Sequence, residues 1–255
     1  MSIFEKTDNP LIQSSDTPYV GQELPTFRHA VHWKSYCQQH ISPYLKGDVL
    51  EVGAGNGATT RILSAKGHKS WTCLEPDAKL CEQLKLNLKE IPGDCTHKVV
   101  RGTMATLPST SQYDSILYFD VLEHIKNDHS EIQTAFHHLN KGGYLIILSP
   151  AYEWLYSSFD KAIGHFRRYD KESFNGLSSP GIHPIKLYYL DSLGIVLSFL
   201  NKFVIRTTQP KLSQILFWDR RIIPLSKKVD KFLGYRLGKS ILGIWQKTDT
   251  NNSVV

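Results

Sequence analysis

Cysteine is scarce in this sequence, and its spacing argues against two kinds of site. The chain has four cysteines, Cys37, Cys73, Cys81 and Cys95. None of them forms a C-x-x-C pair, so neither a cysteine-ligated zinc site nor a disulfide framework is expected. The same pattern favours a reducing compartment, so we expect a cytoplasmic protein. We predict no metal ligand from the sequence.

Long apolar runs are also absent. The most apolar stretch, residues 187–205, is interrupted by Asp191, Asn201 and Lys202, and such residues are costly at the centre of a bilayer. The first residues of the chain are polar and lack the apolar centre of a secretory signal. Neither a membrane span nor a signal peptide is expected.

Composition and charge place the chain among globular proteins with one basic region. Hydrophobic residues make up 41% and charged residues 21% of the 255 residues, which supports a real core and argues against wholesale disorder. The net charge is +6, but residues 201–247 alone hold 11 Lys and Arg against two Asp. This basic and aromatic region predicts a lid or a homodimer contact, or else peripheral contact with an anionic inner membrane surface. The absence of a recognition motif argues against nucleic acid as a partner.

Strand-like and helix-like segments alternate through the first two thirds of the chain. Strands are predicted at DVLEVG, SWTCLE, HKVVRG, YDSILYF and YLIILS. Their alternation with helices predicts βαβ units and a mostly parallel sheet. Beyond Pro150, HPIKLYYLD and SILGIWQK are predicted as two further strands, with a basic helical segment between them.

This pattern predicts a loose leader over residues 1–22 and one domain over residues 23–255. Within the domain, residues 150–182 are expected to form a substrate loop. Residues 192–239 are expected to form a basic helical insertion or lid before the last strand.

Three glycines at alternate positions follow the first predicted strand. Gly53, Gly55 and Gly57 belong to an E-x-G-x-G-x-G motif that begins at Glu51. Such a turn lets a ligand approach the backbone closely. Ala58 stands where the G-x-G-x-x-G turn of dinucleotide enzymes has its third glycine. Because a buried carboxylate needs a partner, Glu51 suits an ammonium group on the ligand better than a pyrophosphate.

Acidic residues follow two other predicted strands. Glu75 ends the second strand, where a carboxylate can accept hydrogen bonds from both hydroxyls of a ribose. Two alternatives remain open: Glu75 is a solvent-exposed residue without a ligand, or Asp77 binds the ribose in its place. The fourth strand leads into D-V-L-E-H-I, which puts Asp120, Glu123 and His124 at the edge of the sheet where doubly wound folds bind ligands.

In combination, these motifs resemble those of class I S-adenosylmethionine-dependent methyltransferases. The similarity runs from about Trp33 to Pro150, and the segment G-H-F-R-R-Y at residues 164–169 resembles a bacterial branch often found beside or fused to glycosyltransferases. The resemblance implies a doubly wound, mostly parallel α/β sheet of the Rossmann-like type. It implies seven strands in the order 3-2-1-4-5-7-6, with the last strand antiparallel, and S-adenosyl-L-methionine as the cofactor.

The resemblance also implies roles for individual residues. Glu51 and the glycine turn would hold the methionine end of the cofactor, Glu75 the ribose, and Thr103 and Met104 the adenine. For Trp33, packing of a helix face on the sheet is the alternative to contact with the cofactor. The implied cofactor residues are Trp33, Glu51, Gly53, Ala54, Gly55, Asn56, Gly57, Glu75, Pro76, Thr103, Met104, Asp120 and Val121.

Methyl transfer requires an aligned acceptor, a site without water and in some cases a base. His124 and His165 are the candidates, because imidazole titrates near neutrality; a structural histidine is the alternative for each. The candidate acceptor-binding residues are Tyr152, Asp160, Arg167, Arg168 and Tyr169. An arginine there can bind a carboxylate or phosphate of the acceptor, or can form an ion pair that fixes the loop.

We therefore expect methyl transfer to an oxygen or nitrogen of a sugar, a lipid-linked glycan or another small molecule. A methyltransferase acting on a secondary metabolite is one alternative. A non-catalytic module that binds S-adenosylmethionine and a nicotinamide-dependent oxidoreductase are the others.

Overall fold

One mixed sheet organises the part of the chain that the structure describes. The computed structural model describes residues 19, 21, 23–64, 68–205 and 207–248. Of the leader predicted over residues 1–22, all but Tyr19 and Gly21 lies outside these described residues.

The sheet has seven strands in the described ranges, in the order β3-β2-β1-β4-β5-β7-β6. Strands β1 to β5 pair in parallel, and β7 runs antiparallel to both of its neighbours. The predicted strand order and the antiparallel last strand are confirmed. The strands are β1 Asp48–Val52, β2 Ser70–Glu75, β3 Thr96–Arg101, β4 Tyr113–Phe119, β5 Leu139–Pro150, β6 Ile182–Leu190 and β7 Ser240–Lys247.

Helices connect the strands and cover both faces of the sheet. They are α1 Leu24–Phe27, α2 Val31–Ile41, α3 Thr60–Leu63, α4 Ala78–Leu88, α5 Asp128–His137, α6 Ser158–Ala162, α7 Lys171–Asn175, α8 Ser192–Leu200, α9 Leu212–Phe217 and α10 Ile223–Phe232. A turn of π-helix over Trp218–Ile222 joins α9 to α10. None of the helices in the described ranges is long and apolar enough to cross a membrane.

The helical part of the chain before β1 is divided into α1 and α2. The break is stabilised from far along the chain, because the Asp219 carboxylate accepts hydrogen bonds from the backbone N–H groups of His32 (3.1 Å) and Trp33 (2.8 Å). These N–H groups belong to the first turn of α2 and have no partner within the helix. A capping carboxylate from another element therefore fixes where α2 begins.

The core lies on both faces of the sheet, as a largely parallel sheet requires. Neighbouring strand residues alternate between two clusters: Val49 packs on one face, and Leu50 and Val52 pack on the other. The central strands are almost fully apolar, so a polar side chain within them needs a partner. This condition applies above all to Glu51 in β1.

The insertion between β6 and β7 is attached to the core through buried aspartates. The Asp230 carboxylate in α10 accepts hydrogen bonds from the Tyr36 hydroxyl (2.8 Å) and from the backbone N–H groups of Asp191 (2.7 Å) and Ser192 (2.8 Å). The Asp191 carboxylate in turn accepts from the indole N–H of Trp218 (2.8 Å). The inner side of the insertion is therefore part of the fold.

We expect Asp230→Ala to lower the free energy of unfolding by roughly 2–4 kcal/mol, because it leaves three buried donors without an acceptor. Chemical denaturation measures this change. Lys228→Ala, at an exposed position of the same helix, is the matched control and should stay within about 0.5 kcal/mol of the wild type. An equally small effect for Asp230→Ala would show that its hydrogen bonds do not attach the insertion.

Candidate active site

A cavity of about 1740 Å³ lies at the carboxyl ends of the parallel strands. The loops after β1, β2, β4 and β5 form most of its wall, and residues of α1, α2 and α9 close its other side. Pockets for one small ligand typically measure about 300–1,000 Å³. The cavity therefore has room for two ligands side by side.

The turn after β1 provides a wall without side chains. Gly53 and Gly55 have φ values of +66° and +56°, a region that other residues rarely adopt. A Cβ at Gly53 would lie 2.7 Å from a methyl of Val121, whereas one at Gly55 would meet only Leu24, at 3.7 Å. The backbone N–H of Gly55 donates to Glu75 Oε2 (2.8 Å). The turn thus orients Glu75 and leaves space beside its own backbone.

Glu51 is buried at the floor of the cavity and has structural partners. Its Oε2 accepts hydrogen bonds from the Thr60 hydroxyl (2.6 Å) and from the Trp71 indole N–H (2.8 Å). Burial raises the pKa of Glu51 to about 7, against the effect of these two hydrogen bonds. Both bonds use the same oxygen, so the other oxygen is available to a ligand.

Two more carboxylates, those of Glu75 and Asp120, line the same cavity. Glu75 is buried and also accepts from the backbone N–H of Asp77 (3.0 Å); burial raises its pKa. Asp120 is exposed to the cavity, and desolvation by the surrounding walls raises its pKa to about 6. Its φ of +55° is uncommon for a residue other than glycine. Carboxylates with raised pKa values favour a ligand with positive charge, which stabilises their ionised form.

Glu123, His124 and His165 form a second group of polar side chains in the cavity wall, which we call the histidine–glutamate cluster. Glu123 is fully buried; its Oε2 accepts from the Ser149 hydroxyl (3.0 Å), and its Oε1 has no hydrogen-bond partner among the described residues. The two imidazole rings lie 4.5 Å apart, centre to centre. His165 Nδ1 lies 3.0 Å from Asp160 Oδ1, and its Nε2 lies 3.8 Å from Glu123 Oε1.

Electrostatics differ among the members of this cluster. Burial raises the pKa of Glu123 to about 7 and lowers that of His124 to about 3. Burial also acts to lower the pKa of His165, but the hydrogen bond to Asp160 and the charge of Glu123 raise it overall. His124 is therefore neutral near pH 7.

The loop after β5 is held by an ion pair. Asp160 accepts two hydrogen bonds from the Arg168 guanidinium, each 2.9 Å. The sequence left two roles open for an arginine in this loop, binding of an acceptor anion or an ion pair within the loop. The structure contains the ion pair, between Arg168 and Asp160. Both residues line the cavity.

Three other residues predicted to bind the acceptor do not line the cavity. Arg167 pairs with Asp128 (2.7 Å), and the Tyr169 hydroxyl donates to the same carboxylate (2.8 Å). Tyr152 stacks on Tyr189 with a centroid distance of 4.8 Å. These contacts stabilise the conformation of the loop after β5.

Most residues predicted to hold the cofactor do line the cavity. Gly57 and Met104 do not: a Cβ at Gly57 would lie 2.7 Å from Leu84, and Met104 packs in the core with 1% of its surface exposed. The residues that line the cavity are Trp33, Glu51, Gly53, Ala54, Gly55, Asn56, Glu75, Pro76, Thr103, Asp120 and Val121.

The cavity also contains residues that the sequence did not point to. The backbone N–H of Tyr19 donates to Asp77 (2.9 Å), and its ring lies 5.9 Å from that of His124. Lys34 and Lys239 add cationic groups to the wall, and burial lowers the pKa of both. No local pattern marks these residues, because only tertiary packing brings them to the site.

Comparison with known families identifies the domain. Residues 28–188, more than half of the chain, match a family described as methyltransferase domain. The chain belongs to this family. It is an S-adenosylmethionine-dependent methyltransferase. The cavity fits this cofactor, because the open backbone at Gly55 and the carboxylates around it suit a ligand with ammonium and sulfonium groups. No curated protein matches the sequence significantly.

Solved structures share the fold at low sequence identity. An S-adenosylmethionine-dependent methyltransferase from Clostridium acetobutylicum has a TM-score of 0.54 and 11% identity, over 86% of this chain and 92% of that one. The N-methyltransferase NodS from Bradyrhizobium japonicum, in complex with S-adenosyl-L-homocysteine, has a TM-score of 0.54 and 12% identity, over 89% of this chain and 90% of that one. The [4+2]-cyclase SpnF has a TM-score of 0.58 and 13% identity, over 84% of this chain and 80% of that one. At these identities the similarity concerns the fold alone.

We expect Gly53→Ala to destabilise the methyltransferase by about 1–3 kcal/mol more than Gly142→Ala, because its Cβ would collide with Val121. Gly142 is the matched control: its φ is +76°, but a Cβ there would meet nothing within 4 Å. Chemical denaturation measures the free energy of unfolding of both variants. Because both glycines have positive φ, the difference between the two variants reports the collision with Val121. Equal losses of stability would contradict the close packing of the turn on Val121.

Proposed function

We propose that this methyltransferase transfers a methyl group to an oxygen or nitrogen of a sugar, a lipid-linked glycan or another small molecule. One observation carries the proposal. A single cavity is lined by the glycine turn, by three carboxylates and by the histidine–glutamate cluster. The turn and the carboxylates suit the cofactor, and the cluster suits a polar acceptor.

The cofactor half of the site binds by charge and by hydrogen bonds. In this proposal the free oxygen of Glu51 accepts from the ammonium group of S-adenosylmethionine, and Glu75 accepts from the ribose hydroxyls. Thr103 lies beside the adenine, and Asp120 faces the methionine portion. When bound, the cofactor supplies a sulfonium methyl whose positive charge is lost on transfer, so these residues bind and orient it.

The acceptor half orients the nucleophile and excludes water. His124 and His165 contact the accepting group, and Asp160 keeps His165 in position through its Nδ1. Phe159 and Ile163 also line the cavity and add apolar surface to it. Exclusion of water strengthens electrostatic interactions in such a site.

Exposed apolar residues beside the cavity support an acceptor with a lipid portion. Leu197 and Ser198 of α8 line the cavity, whereas Phe199 and Phe203 on the same segment are 45% and 49% exposed. Lys202 adds a positive charge 5.3 Å from the Phe203 ring. An apolar and basic rim suits a lipid-linked, anionic acceptor at a membrane surface better than a free sugar.

A turnover assay tests the proposed activity. The protein is incubated with S-adenosylmethionine and with free sugars, lipid-linked glycans or small aromatic metabolites, and products are detected by the mass of one added methyl group. Methylation of a member of the first two classes supports the proposal. Methylation of aromatic metabolites alone favours the secondary-metabolite alternative, and cofactor binding without any turnover favours a non-catalytic module.

Glu75→Ala should weaken the binding of S-adenosylmethionine about tenfold or more, because a hydrogen bond to a charged group contributes roughly 1.5–3 kcal/mol. Calorimetric titration measures the change. Glu82→Ala is the control, since Glu82 is exposed and pairs only with Lys85 among the described residues. Unchanged affinity in Glu75→Ala would remove this residue from the ribose site.

His165→Ala should lower turnover about a hundredfold or more while the affinity for the cofactor stays the same, since general acid–base groups contribute about 10²–10⁴-fold. Turnover and cofactor affinity are measured on the same preparation. His183→Ala, at an exposed position of β6, should leave both unchanged. If His165→Ala abolishes cofactor binding, His165 belongs to the cofactor site or to the fold.

A further inference from the structure

We infer that Glu123, His124 and His165 bind a divalent transition-metal ion, and that this ion coordinates a hydroxyl oxygen of the acceptor. The inference rests on the proposed function, gives His124 and His165 the role of metal ligands in place of a general base, and adds a chemical class, a hydroxyl-bearing acceptor. The sequence predicted no metal ligand. The arrangement of these three side chains in space argues for one.

The cluster contains three suitable donor atoms in one place. One carboxylate oxygen of Glu123 and one nitrogen each of His124 and His165 lie within 4.8 Å of one another. Glu123 and His165 are buried, so the donors are not a chance group of solvated surface residues. The cluster also borders the cavity, which leaves an open side from which a ligand can reach an ion.

The unpartnered oxygen of Glu123 is the second observation. Its Oε1 is buried without a hydrogen-bond partner among the described residues, and a buried acceptor left unsatisfied is costly. His165 Nε2 is the nearest cationic or donor nitrogen recorded for it, but at 3.8 Å it is too far for a hydrogen bond. Two metal bonds of about 2.1 Å span up to about 4.2 Å. An ion between these atoms would satisfy both.

The orientation of His165 provides the third observation. Asp160 Oδ1 lies at hydrogen-bond distance from Nδ1 of the imidazole, 3.0 Å, which turns Nε2 toward Glu123. Metal-binding histidines are oriented in this way by a carboxylate on the other ring nitrogen. Arg168 holds Asp160 in turn through two hydrogen bonds. The loop after β5 is therefore rigid where it presents the nitrogen.

An ion pair between a protonated His165 and Glu123 is the alternative explanation. At 3.8 Å these groups lie within ion-pair range but beyond hydrogen-bond distance, so the pair leaves Oε1 of Glu123 without a donor in the described ranges. It also gives no role to His124, whose ring lies against that of His165. A bridging ion accounts for all three side chains.

The donor set selects the kind of ion. Two imidazoles with one carboxylate suit Zn²⁺, Fe²⁺ or Mn²⁺, with positions left open for a ligand, whereas Mg²⁺ and Ca²⁺ prefer oxygen donors alone. A hydroxyl coordinated in an open position loses its proton more readily. In the balanced step, that proton leaves to water, the S–CH₃ bond breaks and an O–CH₃ bond forms. The sulfonium becomes a neutral thioether.

Calorimetry on protein stripped with a chelator tests the site directly. We expect one equivalent of Zn²⁺ or Mn²⁺ to bind the wild type more tightly than Mg²⁺ does. Glu123→Gln and His165→Ala should weaken this binding at least about tenfold, and Asp160→Asn should weaken it about 10- to 100-fold. His129→Ala, at an exposed imidazole, should bind as the wild type does. Equal affinity in the wild type and in Glu123→Gln overturns the inference.

Cofactor titration of the same variants separates a lost metal ligand from a misfolded protein. Variants that bind S-adenosylmethionine as the wild type does but bind the metal weakly support the inference. If the stripped protein keeps its full methylation rate, the metal site is overturned and the proposed function stands. If the metal binds and no acceptor is methylated under any condition, the proposed function fails while the ion site itself remains.

Discussion

Carboxylates enclosed at the edge of a parallel sheet impose the main physical constraint on this protein. Each is costly unless its oxygens are satisfied, and local structure is arranged to satisfy them. Thr60 and Trp71 donate to Glu51, and the glycine turn donates to Glu75. Some oxygens remain unused on the cavity side. The negative character that results makes the site a receptor for a cationic ligand such as S-adenosylmethionine.

The same principle explains how the basic insertion is attached. Between residues 201 and 247 the sequence has two aspartates among 11 basic residues, and both are buried. Asp219 caps α2, and Asp230 accepts from the Tyr36 hydroxyl and from the start of α8. Most of the described basic residues are exposed, whereas Lys239 lines the cavity. The two acids hold the insertion on the core.

Local pattern predicted the strands and a mostly parallel sheet, whereas the strand order and the roles of the cofactor residues followed from the family resemblance. Strands β1 and β4 and the end of β5 contain apolar runs, and the glycine turn and the D-V-L-E-H-I segment have fixed positions relative to the strand ends. Contacts between distant segments were not predictable. Nothing near His32 indicates that Asp219 caps its helix, and nothing near Tyr19 places it in the cavity. Met104 was predicted beside the adenine from its position after β3, but its side chain points into the core.

The central claim is that the carboxylate-lined cavity binds S-adenosylmethionine. Calorimetric titration of the purified protein with S-adenosylmethionine, S-adenosylhomocysteine and NAD tests it most directly. The account predicts that the first two bind and that NAD does not, because a pyrophosphate would meet Glu51 and Asp120. Binding of NAD without binding of the other two would contradict it.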